Sequence, residues 1–114
     1  MRFTQIMKVR CADEEKLLAL ARSWDENQAK MDVMGFIGSR VLAQRNSPGT
    51  FLVMAEFAEV DGTRTAAEEA ALNNGREETE RWAAALRAVI DGEPEFIDYD
   101  ELYYTGVTGN LRRG

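Results

Sequence analysis

Several polar residues of this chain stand where strands should be. Gln5 and Arg40 each interrupt a segment of alternating apolar residues. A carboxamide or guanidinium inside a strand needs partners, and either can orient a ligand carbonyl or phenolate. Arg40 has a second reading, an ion pair with an acidic neighbour within the chain or across a dimer. Tyr99 and Tyr103 share one face of the last strand, and Tyr104 follows. A phenol there can donate to a developing oxyanion, or simply pack at the rim of a sheet. Asp98 and Asp100 share the opposite face. Two carboxylates raise each other's pKa when close and buried, whereas on an edge strand they deter edge-to-edge pairing. Cys11 precedes a helix start, a position that can lower a thiol pKa, but it also reads as a small packed side chain.

No histidine occurs among the 114 residues. The commonest general base, and the commonest ligand of catalytic zinc and haem, is therefore missing. Acid–base chemistry would have to use Asp, Glu, Tyr, Lys, Cys11, the substrate or solvent. The formal net charge of −6 argues against a nucleic-acid partner, which needs a concentrated basic surface, and against anionic lipid. A lone cysteine permits no internal disulfide and suits a reducing compartment. The N-terminus has no signal-peptide core, and no apolar run reaches membrane-spanning length. A cytoplasmic location is expected.

The elements that must position these residues follow from hydrophobic periodicity. Residues 2–10 alternate, with Phe3, Gln5, Met7 and Val9 on one face and Thr4, Ile6 and Lys8 on the other, as a half-buried strand does. Asp13 caps a helix whose stripe is Leu17, Leu20, Ala21 and Trp24. A second strand is predicted over 36–44. The turn Asn46-Ser47-Pro48-Gly49 leads to a third over 50–58. That third strand has Phe51, Val53, Ala55 and Phe57 on one face, with Leu52 and Met54 on the other, so both faces should be covered. Thr65-x-x-Glu68 is a capping box. The helix it starts breaks at Asn73-Asn74-Gly75, a joint that can turn an amide toward a cavity or serve as ordinary helix-end chemistry. Helical spacing resumes with Thr79, Trp82, Ala83, Leu86, Val89 and Ile90 inward, and Asp91-Gly92 and Pro94 end it. A last strand is predicted from Glu95 to about Tyr104. The domain is expected to span 1–105, with 106–114 a flexible tail.

The order strand, helix, strand, strand, helix, strand gives an α+β, ferredoxin-like βαββαβ fold: a four-stranded antiparallel sheet with its helices on one face. The uncovered face would expose an apolar patch unless a second copy packs sheet against sheet. The chain here resembles the dimeric α/β barrel superfamily, in particular its antibiotic-biosynthesis-monooxygenase-like branch. The resemblance covers about residues 2–104. It rests on the element order, the 46–49 hairpin, the broken second helix, and the run from Trp82 to Ile90 followed by Asp91-Gly92-Glu93-Pro94-Glu95-Phe96.

That resemblance implies a homodimer with a ligand pocket between sheet and helices. It makes Trp24 and Trp82 candidate pocket walls for a flat ligand, although both also suit a packed core. It suggests Asn74 as a residue that holds substrate, and leaves Arg40 and Tyr99 as further polar candidates. Missing histidine argues against the haem-degrading branch. The resemblance thus implies a cofactor-independent monooxygenase-like enzyme acting on a small aromatic or polyketide-like compound, with no cofactor and no metal. Two alternatives stay open: a non-catalytic small-ligand-binding or sensing dimer, and a structural dimer whose interior is fully packed.

Overall fold

In the computed structural model, residues 2–29 and 35–106 are described. The chain runs β1 (Phe3–Arg10), α1 (Glu14–Ala29), β2 (Phe36–Ala43), β3 (Thr50–Phe57), α2 (Ala66–Asn74), α3 (Glu77–Val89) and β4 (Asp91–Asp100). All strand pairs are antiparallel, in the order β2-β3-β1-β4. This is the expected βαββαβ ferredoxin-like arrangement. The expected tail lies outside the described residues, save Gly106.

Local chemistry sets the element ends. The Asp13 carboxylate accepts from the Lys16 amide at 3.3 Å at the start of α1. At α2 the capping box closes both ways: the Glu68 amide donates to Thr65 Oγ1 at 3.1 Å, and the Thr65 amide donates to Glu68 Oε1 at 2.8 Å. The Asn46–Gly49 turn places Asn46 and Gly49 at positive φ, 61° and 85°. The expected break in the second helix separates α2 from α3, with Gly75 capping the first and Arg76 opening the second. At the entry to β2, Gly35 has a φ of 69°, and a Cβ there would strike the Ala58 carbonyl oxygen and Glu69 Cβ. Only glycine permits both the backbone angle and the close approach.

One expectation is corrected. β4 covers Asp91–Asp100 rather than 95–104. Pro94 does not hold the strand off, because β4 is an edge strand paired only with β1, and the register slips between Lys8 and Arg10 around it. A proline is tolerated in just such an irregular edge.

Register assigns the two sheet faces. Gln5 pairs with Ala55, Met7 with Val53 and Val9 with Phe51, so the side chains expected to share a face do so and meet the helices. The buried side chains form two clusters on that face. One holds Val9, Cys11, Leu17, Phe51, Val53, Leu86 and Ile90. The other holds Phe57, Ala66 and Ala70, with Phe3, Phe36 and Ala55 against them. Cys11 is a packed member of the first cluster, and its thiol donates to the Val89 carbonyl at 3.1 Å.

The opposite face carries no helix. Ile6, Leu42, Leu52, Met54, Ile97 and Tyr99 lie there, by the pairings Ile6–Met54, Leu42–Leu52, Ile6–Ile97 and Thr4–Tyr99. Among the described residues no helix is long and apolar enough to cross a membrane.

Candidate functional site

Between the two core clusters the helices and sheet leave a cavity of about 320 Å³. Small residues open it. Ala21 on α1, Ala83 on α3 and Ala55 on β3 all line it, each where a larger side chain would close the gap. Met7 and Val53 form the floor on one side and Phe57 on the other.

Trp24 and Trp82 wall the cavity together. Their ring centroids lie 5.6 Å apart, tilted by 56°. Trp24 also meets Phe36 edge-on at 6.3 Å, and Phe36 meets Phe57 at 5.8 Å, so an aromatic chain runs from α3 to the sheet. Trp82 is fixed by its indole N–H, which donates to the Leu20 carbonyl on α1 at 3.0 Å. That donor is consumed inside the protein, so Trp82 offers a ligand its ring rather than a hydrogen bond.

The α2–α3 joint supplies the polar end. Asn73 and Asn74 both line the cavity. Asn74, the residue singled out from the sequence, is solvent-exposed. Its neighbour Asn73, which sequence reasoning passed over, is 2% exposed. Asn73 Oδ1 accepts from Arg76 at 3.3 Å, and its main-chain carbonyl accepts from the Thr79 hydroxyl at 2.7 Å. The signal was present: Ala66, Ala70 and Asn73 recur at i, i+4 and i+7, the buried stripe of a helix.

The structure does not bring all five candidates together. Trp24, Trp82 and Asn74 line the cavity, and Arg40 borders it. The Arg40 guanidinium, however, lies 3.6 Å from Glu56 Oε1, the ion pair that was its alternative reading. Tyr99 lies on the helix-free face opposite Thr4 and does not line the cavity. The carboxylates Asp98 and Asp100 take the helix side of β4 but are exposed. Sequence reasoning also missed Glu80 and Arg87 of α3 and Pro94 and Phe96 of β4, which line the cavity as well. Arg87 Nε lies 3.6 Å from Glu93 Oε1.

Chemically, the lining is mostly aromatic and aliphatic, with amides and the hydroxyls of Ser39 and Thr79 among its polar groups. Glu80 is the sole carboxylate among the described lining residues. No group of three or more His, Cys, Asp and Glu that could hold a metal ion occurs among the described residues.

No protein-family profile matches the chain, and no curated protein matches it. Solved structures do. SnoaB, a cofactor-independent oxygenase from Streptomyces nogalater, superposes with a TM-score of 0.70 at 12% identity, over 90% of this chain and 95% of that one. A protein of Nitrosomonas europaea, provisionally described as an antibiotic biosynthesis monooxygenase, gives 0.67 at 14% identity, over 92% and 94%. A conserved protein of Methanosarcina mazei gives 0.66 at 17%, over 87% and 91%. The chain therefore has the fold of antibiotic-biosynthesis-monooxygenase-like proteins, as the resemblance read from its sequence implied. At these identities the likeness is one of fold.

Proposed function

We propose that this protein is a homodimeric, cofactor-independent monooxygenase of the antibiotic-biosynthesis-monooxygenase-like branch, acting in the cytoplasm on a small aromatic or polyketide-like compound. The observation that carries the reading is the cavity of about 320 Å³ walled by the Trp24–Trp82 pair. A fully packed structural dimer would have no such space. SnoaB, with the same fold, is an oxygenase that works without a cofactor.

In this chemistry the substrate supplies the electrons. A ring methylene beside a carbonyl loses a proton to give an electron-rich enolate, which reacts with dioxygen. One oxygen atom ends as a new carbonyl on that carbon, and the other leaves as water with the two hydrogens. The chain's part is to hold the ring against Trp24 and Trp82, to exclude water, and to stabilise the anion. Asn74, with its buried neighbour Asn73, is proposed for that last task; the Arg40 guanidinium is turned to Glu56 on the helix-free face.

The apolar helix-free face supports a second copy of the chain packed sheet to sheet, since Leu52 and Met54 otherwise face water. A lone buried thiol suits a reducing compartment.

A second reading is a small-ligand-binding or sensing dimer of the same fold. The observation favouring it is that Glu80, an exposed rim residue, is the only carboxylate among the described lining residues, and the chain has no histidine. Oxygen uptake with a panel of anthrones and quinols separates the two. The enzyme reading expects uptake that Trp82→Ala abolishes. A folded protein that binds members of the panel and consumes no oxygen would establish the second reading instead.

A further inference from the structure

Gln5 is the one carboxamide presented by the sheet to the cavity. It lies on the helix-facing side of β1, between Phe3 and Met7, and lines the space with Met7. The residue opposite it on β3 is Ala55, too small to cover it, and the residue opposite on β4 is the exposed Asp98. Its carboxamide takes part in no hydrogen bond among the described residues. The polar groups at the far wall are differently placed: Asn73 is tied to Arg76, whereas the Gln5 carboxamide stands unengaged on a floor whose other helix-facing polar side chain is the small Ser39 of β2. A strand position that faces a core is ordinarily filled by an apolar side chain, and its neighbours Phe3, Met7 and Val9 obey that rule.

We propose that Gln5 is a specificity-determining residue of this cavity, selecting ring ligands that carry an oxygen on the edge facing the sheet. The inference rests on the proposed reading that the cavity takes a flat aromatic compound, and it adds which edge of that compound is read. A carboxamide both donates and accepts, so it serves a carbonyl, a phenol or a phenolate alike. A purely hydrocarbon ring would fill the same space but bury the amide unpaired, and a site built on such a hydrogen bond rejects ligands that lack it. Gln5 thereby supplies from the sheet what Asn74 supplies from the helix joint, and a ligand oxygenated on opposite edges engages both.

Equilibrium dialysis with 2-naphthol and 2-methylnaphthalene, rings of nearly equal size, tests this. For the unaltered protein, 2-naphthol is expected to bind at least tenfold more tightly. Gln5→Met keeps the side-chain length and removes the amide. It is expected to weaken 2-naphthol about tenfold and to leave 2-methylnaphthalene within about twofold. Gln5→Leu should give the same contrast, and unchanged unfolding midpoints for either variant confine the effect to the site. Equal changes for both probes, or none for either, overturn the role of Gln5 while leaving the aromatic cavity standing. Failure of the unaltered protein to bind either probe overturns the cavity reading and this inference together.

Discussion

Trp82 of α3 and Leu20 of α1 are joined by a hydrogen bond, indole N–H to main-chain carbonyl, of 3.0 Å. The same carbonyl accepts from the Ser23 hydroxyl at 2.8 Å. One peptide oxygen thus anchors the ring that walls the cavity. The bond ties α1 to α3 beside their shared apolar cluster of Leu17, Leu20 and Leu86.

Trp82→Phe removes the donor and part of the ring. A typical intramolecular hydrogen bond contributes about 1 kcal/mol, so the variant should lose roughly 1–2 kcal/mol in urea unfolding once lost packing is included. Its freed ring no longer holds the 5.6 Å approach to Trp24, so affinity for an aromatic probe should fall as well. Unfolding curves and dialysis on one preparation check both. Unchanged stability would mean that the bond does not hold α3 in place.

The two asparagines of the helix joint should separate. Asn73 is buried and engaged, and Asn73→Ala removes the acceptor of one Arg76 hydrogen bond and opens a small void. The expected loss is about 1–3 kcal/mol. Asn74 is exposed, and its carboxamide takes part in no hydrogen bond among the described residues. Asn74→Ala should leave stability within about 0.5 kcal/mol and weaken the binding of an oxygenated ring. Chemical denaturation ranks the first effect and ligand dialysis the second. Equal destabilisation by both would contradict the burial pattern.

Ala83 offers the reverse experiment. It lines the cavity from α3, beside the small residues Ala21 and Ala55. Ala83→Leu adds three carbons to the space that a ligand would use. Each buried methylene contributes about 0.8 kcal/mol, so the variant should be as stable as the parent or more stable, while losing ligand binding. A calorimetric melt and dialysis distinguish this from a general defect, in which stability and binding would fall together.

Much of this was legible in the sequence. The capping box at Thr65 and Glu68, the 46–49 turn and the stripe from Leu17 to Trp24 are local signals whose physics needs no tertiary partner. The face of a residue on β4 was not legible in the same way. Alternation says that Tyr99 and Asp98 point opposite ways, but only pairing with β1 decides which meets the helices. That pairing puts Tyr99 opposite Thr4, away from the cavity, and Asp98 opposite Gln5. The usual guide, that the apolar member points inward, fails because β4 is an edge strand exposed along nearly its whole length. Pro94 misled for the same reason, since an edge strand tolerates a residue with no amide to give. Asn73 was overlooked because an amide in a helix break reads as a cap, although its spacing from Ala66 and Ala70 marked it as buried.

The same register turns the association argument into a definite substitution. Leu52 and Met54 of β3 point away from the helices, Leu52 between Leu42 of β2 and Lys8 of β1, and Met54 between Arg40 and Ile6. Leu42 is 44% exposed and Ile97, beyond Ile6, is 40% exposed. A sheet face of this composition gains from a second copy, and a carboxylate at its centre would have to be desolvated in the joint. Met54→Asp and Leu52→Asp should therefore shift sedimentation at micromolar concentration from twice the chain mass toward one chain mass. Neither should disturb the helix-side core, because both side chains face away from Phe51, Val53 and Phe57. Arg40→Ala, which removes the guanidinium beside Glu56 on this face, should weaken association less, since an exposed ion pair contributes at most about 1 kcal/mol. A parent protein that sediments as a stable monomer would remove the need for a partner on this face.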